Sequence, residues 1–393
     1  MIGSSAETSS LVSKMSPHVR TTRSAERANV KIKKVAVSIH RFENSVPIIN
    51  KRIEDDYRII CEIETDDGQT GFGMASRFLW HGVAAIVKHH IAPAIIDMDP
   101  RDLEKIHDKM KPILSERGAM TGINLTALSA VDLALWDLNA KASNQTVAQV
   151  LGGARDYADV YVTYGFLAYE IEHLIEMGRR LMAEGHTRLK MLVGHKLGVN
   201  EDMKRVRAVR EALGDDLLLA VDANESIGLE DAMRLCPVLE ECNIAWFEDP
   251  LRRVDARDMG MLRKRTTIPL SCGQMDGHSL RFREWVEHDG IDIFMPNSMY
   301  NGGMTETRRV AHLSQIYNKP LSDAGGGGVY CLHHVAGFRN GTLAEIHLGT
   351  EQVEHQMFTD APMHVSGRIT IPARPGFGVT LNRDNLKDAL VQG

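Results

Sequence analysis

The sequence predicts an α/β protein built on a β/α barrel, with a smaller α+β domain ahead of it. Three stretches predict this. Residues 219–224 read as an apolar strand ending in the carboxylate of Asp222; residues 245–250 repeat the form at Glu248, and 268–274 at Gln274. Successive members of this set stand 26 residues apart. Eight strand–helix units over about 250 residues average roughly 31 residues each, so the spacing suits consecutive units of a barrel. The C-terminal strand ends of a barrel converge on one site. Two acids and an amide gathered there make an oxygen-rich site for a hard cation such as Mg²⁺.

The chain of 393 residues is long enough for a barrel and a second domain. Its 43% hydrophobic and 25% charged residues are ordinary for a globular protein. A net charge of −6 and a pI near 6.3 give no support for nucleic-acid binding. No apolar run approaches the roughly 18 residues of a membrane span. The five cysteines are odd in number, scattered and without CxxC spacing, which favours reduced thiols in the cytoplasm over a disulfide framework or a zinc site.

Residues 1–29 are Ser/Thr-rich without an apolar core or periodicity, and read as a disordered extension in which Met15 is an alternative start. Strands follow at 30–41, 57–64 and 70–74, the last two joined by the turn Asp66–Asp67–Gly68, as expected for an antiparallel sheet. Helical periodicity covers about 81–97, 101–115 and 122–142, and Gly152–Gly153 closes the next helix. Residues 30–155 are therefore expected to form the α+β domain. From Asp156 the pattern alternates strand and helix: strands at 160–164 and 187–193, helices at 170–184 and 201–213, and then the three opening stretches. Strands at 291–297, 320–323 and 343–347 and helices at 303–317 and near 329–338 complete residues 156–350, and such alternation implies a parallel sheet. Beyond about 350 the rhythm stops, and the tail (351–393) is expected to complete the first domain.

Asp222 and Glu248 each end a strand just before a helix, where a carboxylate also serves as an N-cap. Two at barrel spacing, followed by Asn224 and Asp249, point to metal ligands. Gln274 offers a neutral carbonyl oxygen, and Asp276 is its alternative two residues on. Arg188 and Lys190 share one strand face. A lysine pointing into a barrel is costly unless used, and beside Arg188 and a divalent cation its pKa falls far enough for a general base. Glu345 follows the same logic on the last strand. Tyr164 and His195 follow strands and are within reach of a ligand. His333 and His334 lie in an apolar helical run and read as surface or packing residues. The tetraglycine 325–328 lacks the Lys-Ser/Thr of a phosphate loop.

These residues bring out a resemblance. Ala134–Leu135–Trp136–Asp137 with Leu151–Gly152–Gly153, Val221–Asp222–Ala223–Asn224, Phe247–Glu248–Asp249–Pro250 and Gly302–Gly303–Met304–Thr305–Glu306 together resemble the enolase superfamily, in its mandelate racemase/muconate lactonizing enzyme group. The resemblance implies a capping α+β domain over a modified TIM barrel, (β/α)7β, with Mg²⁺ on Asp222, Glu248 and Gln274. It further implies removal of the proton α to a carboxylate by Lys190, with Arg188 holding a substrate oxygen. Substrate choice then falls to the capping loops, 42–52 and around Arg77–His81. Two departures stand out. The third ligand is Gln where the family has Glu, and Asn297 and Ser322–Asp323–Ala324 stand where the family carries an Asp–His dyad. With one base, a racemase is disfavoured. The expectation is a lyase dehydrating an acid sugar, with Asp323, Tyr164 or Glu345 as the acid. The alternatives are a cycloisomerase or lactonizing enzyme, a racemase with Asp323 as its second base, and a barrel that only binds a sugar acid or a protein partner. The expected partner is a small-molecule carboxylate, and the expected assembly a homo-oligomer.

Overall fold

The computed structural model describes residues 30–49, 51–52, 55–76, 78–114, 121–275 and 278–393. The expected extension 1–29, with Met15, lies outside the described residues, as do Arg77 and Asp276.

The first domain is built on an antiparallel sheet of Ile32–Phe42, Asp56–Thr65 and Thr70–Ser76, with Leu390–Gln392 pairing outside the first strand. Helical segments follow. The helix expected over 81–97 is divided: Trp80–Ile86 and Ala92–Ile95 flank a π-turn at Val87–Ile91. Pro93 has no N–H to give the preceding turn, which accounts for the slip in the ladder. After Leu103–Leu114 comes Ile123–Ala142, a helix that is apolar nearly all round and correspondingly buried on all sides.

That helix joins the two domains. One side lies on Thr70–Ser76, where Gly73 allows the approach: a Cβ there would stand 2.2 Å from the Ala130 carbonyl oxygen. The other side meets the helix Gly303–Ile316, whose Thr305 backbone N–H donates to Asp132 Oδ2 (3.0 Å). Trp136 Nε1 donates to Thr305 Oγ1 at 2.9 Å, and Asp137 accepts backbone N–H bonds from Phe72 and Phe377 at 3.0 Å each. A Cβ at Gly303 would meet Asp132 Oδ2 at 2.2 Å, so the paired glycines of the 302–306 motif are a packing requirement of this junction.

The barrel strands are Tyr157–Gly165, Arg188–Leu192, Leu218–Asp222, Ile244–Glu248, Leu270–Cys272, Ile293–Phe294, a single bridge at Leu321, and Leu343–His347. All pair in parallel. Leu321 bridges Phe294 and Gly341, and Leu343–His347 returns to pair with Tyr157–Gly165, which closes the ring. Helices Ile171–Ala183, Val199–Leu213, Leu229–Glu241, Ala256–Arg263, Ser279–Glu287, Gly303–Ile316 and Gly328–Gly337 separate the strands, giving the (β/α)7β order. Tyr161, Ala220, Trp246, Met295 and Ala324 pack together as an inner layer. The tail divides its contacts: Arg368–Thr370 adds antiparallel to the first barrel strand, and only Leu390–Gln392 joins the first sheet. Among the described residues no helix is long and apolar enough to cross a membrane.

Where the tail helix Leu348–Met357 meets the first domain, Glu354 Oε1 is buried with no hydrogen-bond partner. Burial pushes the Glu354 carboxyl up to about 7, against the pull of Arg58. The native state therefore binds this proton more tightly than the unfolded chain does. The associated stability is full below about 4.5 and is lost as pH rises through about 7. Glu354→Gln is expected to remove that loss, worth at most about 3 kcal/mol. Its melting temperature should match the parent's at pH 4 and exceed it at pH 8; a lower value at pH 8 would contradict the assignment.

Candidate active site

The strand ends place their acids around one ammonium. Lys190 Nζ lies 2.5 Å from Glu248 Oε1, 3.1 Å from Asp222 Oδ2 and 3.2 Å from Glu345 Oε1, and all four side chains are buried. Each carboxylate is also held from its other side. Asp222 Oδ1 accepts the Asn224 backbone N–H (2.8 Å), Glu248 Oε2 accepts Trp246 Nε1 (3.1 Å), and Glu345 Oε2 accepts the Gly326 backbone N–H (2.6 Å). Thr163 Oγ1 donates to Glu345 Oε1. The Tyr161 ring lies 5.2 Å from Lys190 Nζ, and its hydroxyl donates to the Asp323 carbonyl at 2.6 Å.

Asp249 joins this group although it directly follows Glu248. Neighbouring strand residues ordinarily point to opposite faces. Here Asp249 has φ 39°, a left-handed backbone that breaks the alternation, and Asn224 and Glu225 do the same after Asp222 at 45° and 57°. Carboxylate oxygens of Asp222, Glu248 and Asp249 consequently lie within 4.8 Å of one another.

Burial pushes the Glu248 carboxyl well above the usual carboxylate range, with Lys190 opposing; burial and the nearby Asp222 push Asp249 the same way. Burial is the largest influence on Glu345 and holds it up, but Lys190, His347, Thr163 and the Gly326 N–H together keep this acid below its ordinary value. For Lys190, burial disfavours the charge, yet Glu248, Glu345 and Asp222 overcome it and raise the pKa well above that of a free lysine. The lowered value expected from the sequence was for an amine beside Arg188 and a bound cation; the protein groups around it are carboxylates, and Arg188 is not among them.

Several expected residues lie elsewhere. Arg188, the first residue of its strand, is half-buried near Gly367 and makes no hydrogen bond or ion pair among the described residues, so it is not brought to the cluster. Tyr164 faces outward, its buried hydroxyl against Gly178 on the following helix and without a partner, and burial raises its pKa. Tyr161 and Thr163 take the inner positions. Asp323 turns towards the helix Gly328–Gly337, with its carboxylate within 4.8 Å of Cys331 Sγ and the His334 ring; burial and Glu345 push it well above the usual range. Gln274 stands two residues beyond its strand with its amide against Gly325, where a Cβ would lie 2.1 Å from Nε2. Asn297 donates from Nδ2 to the Ala324 carbonyl (2.7 Å), a structural bond in place of the expected acidic partner. His333 and His334 are buried, each pushed down to about 4 by burial. His195 holds its own turn, with Nδ1 accepting the Leu197 N–H.

Above the cluster a cleft of about 710 Å³ lies between the two domains. Asn44, Phe78 and Trp80 come from the first domain, and Phe166, Asn224 and His347 from the barrel mouth. Sequence reasoning did not single out His347. The signal was available: it stands two residues after Glu345, on the same face of one strand.

The mandelate racemase/muconate lactonizing enzyme N-terminal domain matches residues 28–152, and the enolase C-terminal domain-like family matches 173–385. The chain belongs to the mandelate racemase/muconate lactonizing enzyme family. Among relatives in that family, it is 28% identical to arabinonate dehydratase of Saccharolobus solfataricus over 82% of this chain and 88% of that one. It is 28% identical to D-galactarolactone cycloisomerase of Agrobacterium fabrum over 89% and 95%. The crystal structure of L-talarate dehydratase from Polaromonas sp. JS666, complexed with Mg and L-glucarate, superposes with a TM-score of 0.81 at 29% identity, covering 92% of this chain and 98% of that one.

Proposed function

We propose that the protein is a Mg²⁺-dependent lyase that dehydrates an acid sugar. The proton α to the carboxylate is removed, the β-hydroxyl leaves as water, and a 2-keto-3-deoxy acid results. The observation that carries this reading is the buried Lys190 amine held among Asp222, Glu248 and Glu345 at the barrel mouth. Family membership and the dehydratase relative support it.

The donor set fits a divalent cation. Four buried carboxylates (Asp222, Glu248, Asp249 and Glu345) face one ammonium, and buried negative charge in excess calls for a hard cation. Asp222, Glu248 and Asp249 would hold it, with Gln274 as the neutral candidate at the same end of the barrel. When bound, such a cation supplies positive charge that lowers the cost of the anion formed as the α-proton leaves.

The chain's own groups do the rest. Lys190 takes the α-proton on Nζ, and the ammonium so formed returns a proton to the β-oxygen as its C–O bond breaks, so that the hydroxyl leaves as water. With Asp222 and Glu248 engaged in cation binding, two of the three charges that hold its ammonium are spent, and its proton affinity falls. Glu345, fixed by Thr163 and Gly326, orients the amine. The cleft's aromatic residues cover the substrate, and Asn44, Asn224 and Thr350 offer partners to its hydroxyls. Racemisation needs a base on each face of the α-carbon; Asn297 is not one, and Asp323 is turned towards Cys331 and His334. A homo-oligomer in the cytoplasm, acting on a small-molecule carboxylate, completes the reading.

Proton NMR in D₂O with Mg²⁺ and a panel of sugar acids tests it. A new 2-keto-3-deoxy signal is the expected result. A product of unchanged mass would make the protein a cycloisomerase, and silence with Mg²⁺ bound would remove the dehydratase reading for that panel.

A further inference from the structure

The dehydratase reading places one end of the substrate, its carboxylate and α-carbon, at Lys190 and leaves the other end open. We propose that the substrate is an aldonic acid, whose far end is a neutral hydroxyl. Asp56 accepts a hydrogen bond from that tail and excludes aldaric acids, which carry a second carboxylate there. The inference rests on the dehydratase reading and names the class of acid sugar it takes.

Asp56 opens the strand Asp56–Thr65 of the first domain and pairs across the ladder with Phe42. Asn44 lies two residues beyond Phe42, so the two polar side chains come from adjoining ends of paired strands. Both line the 710 Å³ cleft, and Leu192 and Asn224 line it from the barrel mouth. Leu192 ends the strand that carries Lys190, and Asn224 follows Asp222 by two residues. A substrate with its α-carbon at Lys190 therefore extends its tail towards Asp56.

One oxygen of Asp56 is taken and the other is not. Arg58, two residues on and on the same strand face, donates from Nη2 to Asp56 Oδ2 at 2.7 Å. Asp56 Oδ1 is buried without a hydrogen-bond partner, in a residue that is 3% exposed yet lines the cleft. A buried acceptor left unmade is costly, and only a donor satisfies it. A substrate hydroxyl brings the O–H that Oδ1 lacks, whereas an ionised carboxylate has lone pairs alone. A second carboxylate would set oxygen against oxygen. Arg58 does not reverse this, since it is 0% exposed, is not among the residues that line the cleft and is already paired with Asp56.

Asn44 Oδ1 is likewise buried and unpartnered, but an amide can turn either end to a ligand and so accepts either tail. The choice falls to Asp56. Beside it the Tyr57 ring stacks on Trp80, with centroids 4.3 Å apart and planes at 10°, and both rings wall the cleft. They offer an apolar face to the carbon chain between the two ends.

The test measures the parent and Asp56→Asn, full-length and with Mg²⁺, on pairs that differ only at the terminal carbon. These are D-gluconate with D-glucarate, D-galactonate with galactarate, and D-mannonate with D-mannarate. Binding is read by calorimetry, and chemistry by α-proton exchange in D₂O. In the best-bound pair the parent is expected to favour the aldonate by about 10²-fold, the size of a hydrogen bond to a charged group. In D56N the amide keeps an oxygen for Arg58 and can present N–H to a carboxylate, so the ratio should fall by about 10-fold or more. Three results overturn the proposal. The parent binds or exchanges an aldarate as well as its aldonate; D56N leaves the ratio unchanged, which makes Asp56 a partner of Arg58 alone; or no aldonate binds at millimolar concentration. If D56N fails to fold, the parent's ratio decides by itself. Aldonates bound selectively without α-proton exchange remove the dehydratase reading and leave the Asp56 contrast standing. Exchange on both classes alike keeps the chemistry and removes the proposal.

Discussion

Lys190→Met is expected to lower α-proton exchange and turnover by about 10²–10⁴-fold, the range that a positioned general base contributes. Methionine nearly preserves the volume of the side chain, so the loss reads out the amine and not a cavity. The same substitution leaves Asp222, Glu248 and Glu345 buried around an apolar group. Removing one partner of a buried ionic cluster costs about 3–5 kcal/mol, so the metal-free variant should melt well below the parent. Added Mg²⁺ should restore part of that stability, because the carboxylates regain a cation, without restoring exchange. This separation of stability from chemistry is the informative part. A variant that exchanges the α-proton at the parent's rate would sink the base assignment outright.

The second large effect concerns Glu248, which is 0% exposed. In the parent, free Mg²⁺ at 100 times its Kd should stabilise the fold by about 2.7 kcal/mol. Glu248→Gln should abolish most of that gain and reduce turnover by about 10³-fold or more, since it removes a charged oxygen ligand and leaves a neutral amide. Without metal the sign reverses. Burial of the Glu248 carboxyl outweighs the attraction of Lys190, so neutralising it should cost the apo protein nothing and raise its stability. Thermal melts of parent and variant with and without Mg²⁺ provide the four values. Equal Mg²⁺ stabilisation of the two proteins would remove Glu248 from the metal site.

Much of the architecture was legible because a barrel writes itself into sequence as a period. The 26-residue steps from Asp222 to Glu248 to Gln274 located three consecutive strand ends, and the alternation of apolar strand and amphipathic helix covered the rest. The Ala134–Leu135–Trp136–Asp137 and Gly302–Gly303 motifs were visible as resemblances. Only packing explained them, as the junction where Trp136 and Asp132 meet Thr305. The strand read at 320–323 is reduced to one bridge at Leu321, whose backbone bonds run to Asn340 and Thr342.

The site divides along the same line. The fold brings Asp222, Glu248, Lys190 and Glu345 together, since polar groups at apolar strand ends have one place to go. Tyr164, Arg188 and Asp323 were not gathered. Tyr164 follows the inward Tyr161 and Thr163, so strand alternation turns it to the outer side of the barrel. Arg188 shares a face with Lys190 but sits at the far end of its strand, a distinction of height that parity does not carry. Asp249 entered the cluster through a left-handed backbone that no periodicity encodes.

By itself, then, the sequence determined which strands exist, their order around the barrel and which end holds the acids, because spacing and hydrophobic period are properties of the chain. The tertiary structure alone decided which neighbours face one another and how they are charged. Register shifts, left-handed residues and the burial of Lys190 among three carboxylates arise from contacts between segments up to 182 residues apart, as between Thr163 and Glu345, and proton affinity follows from those contacts.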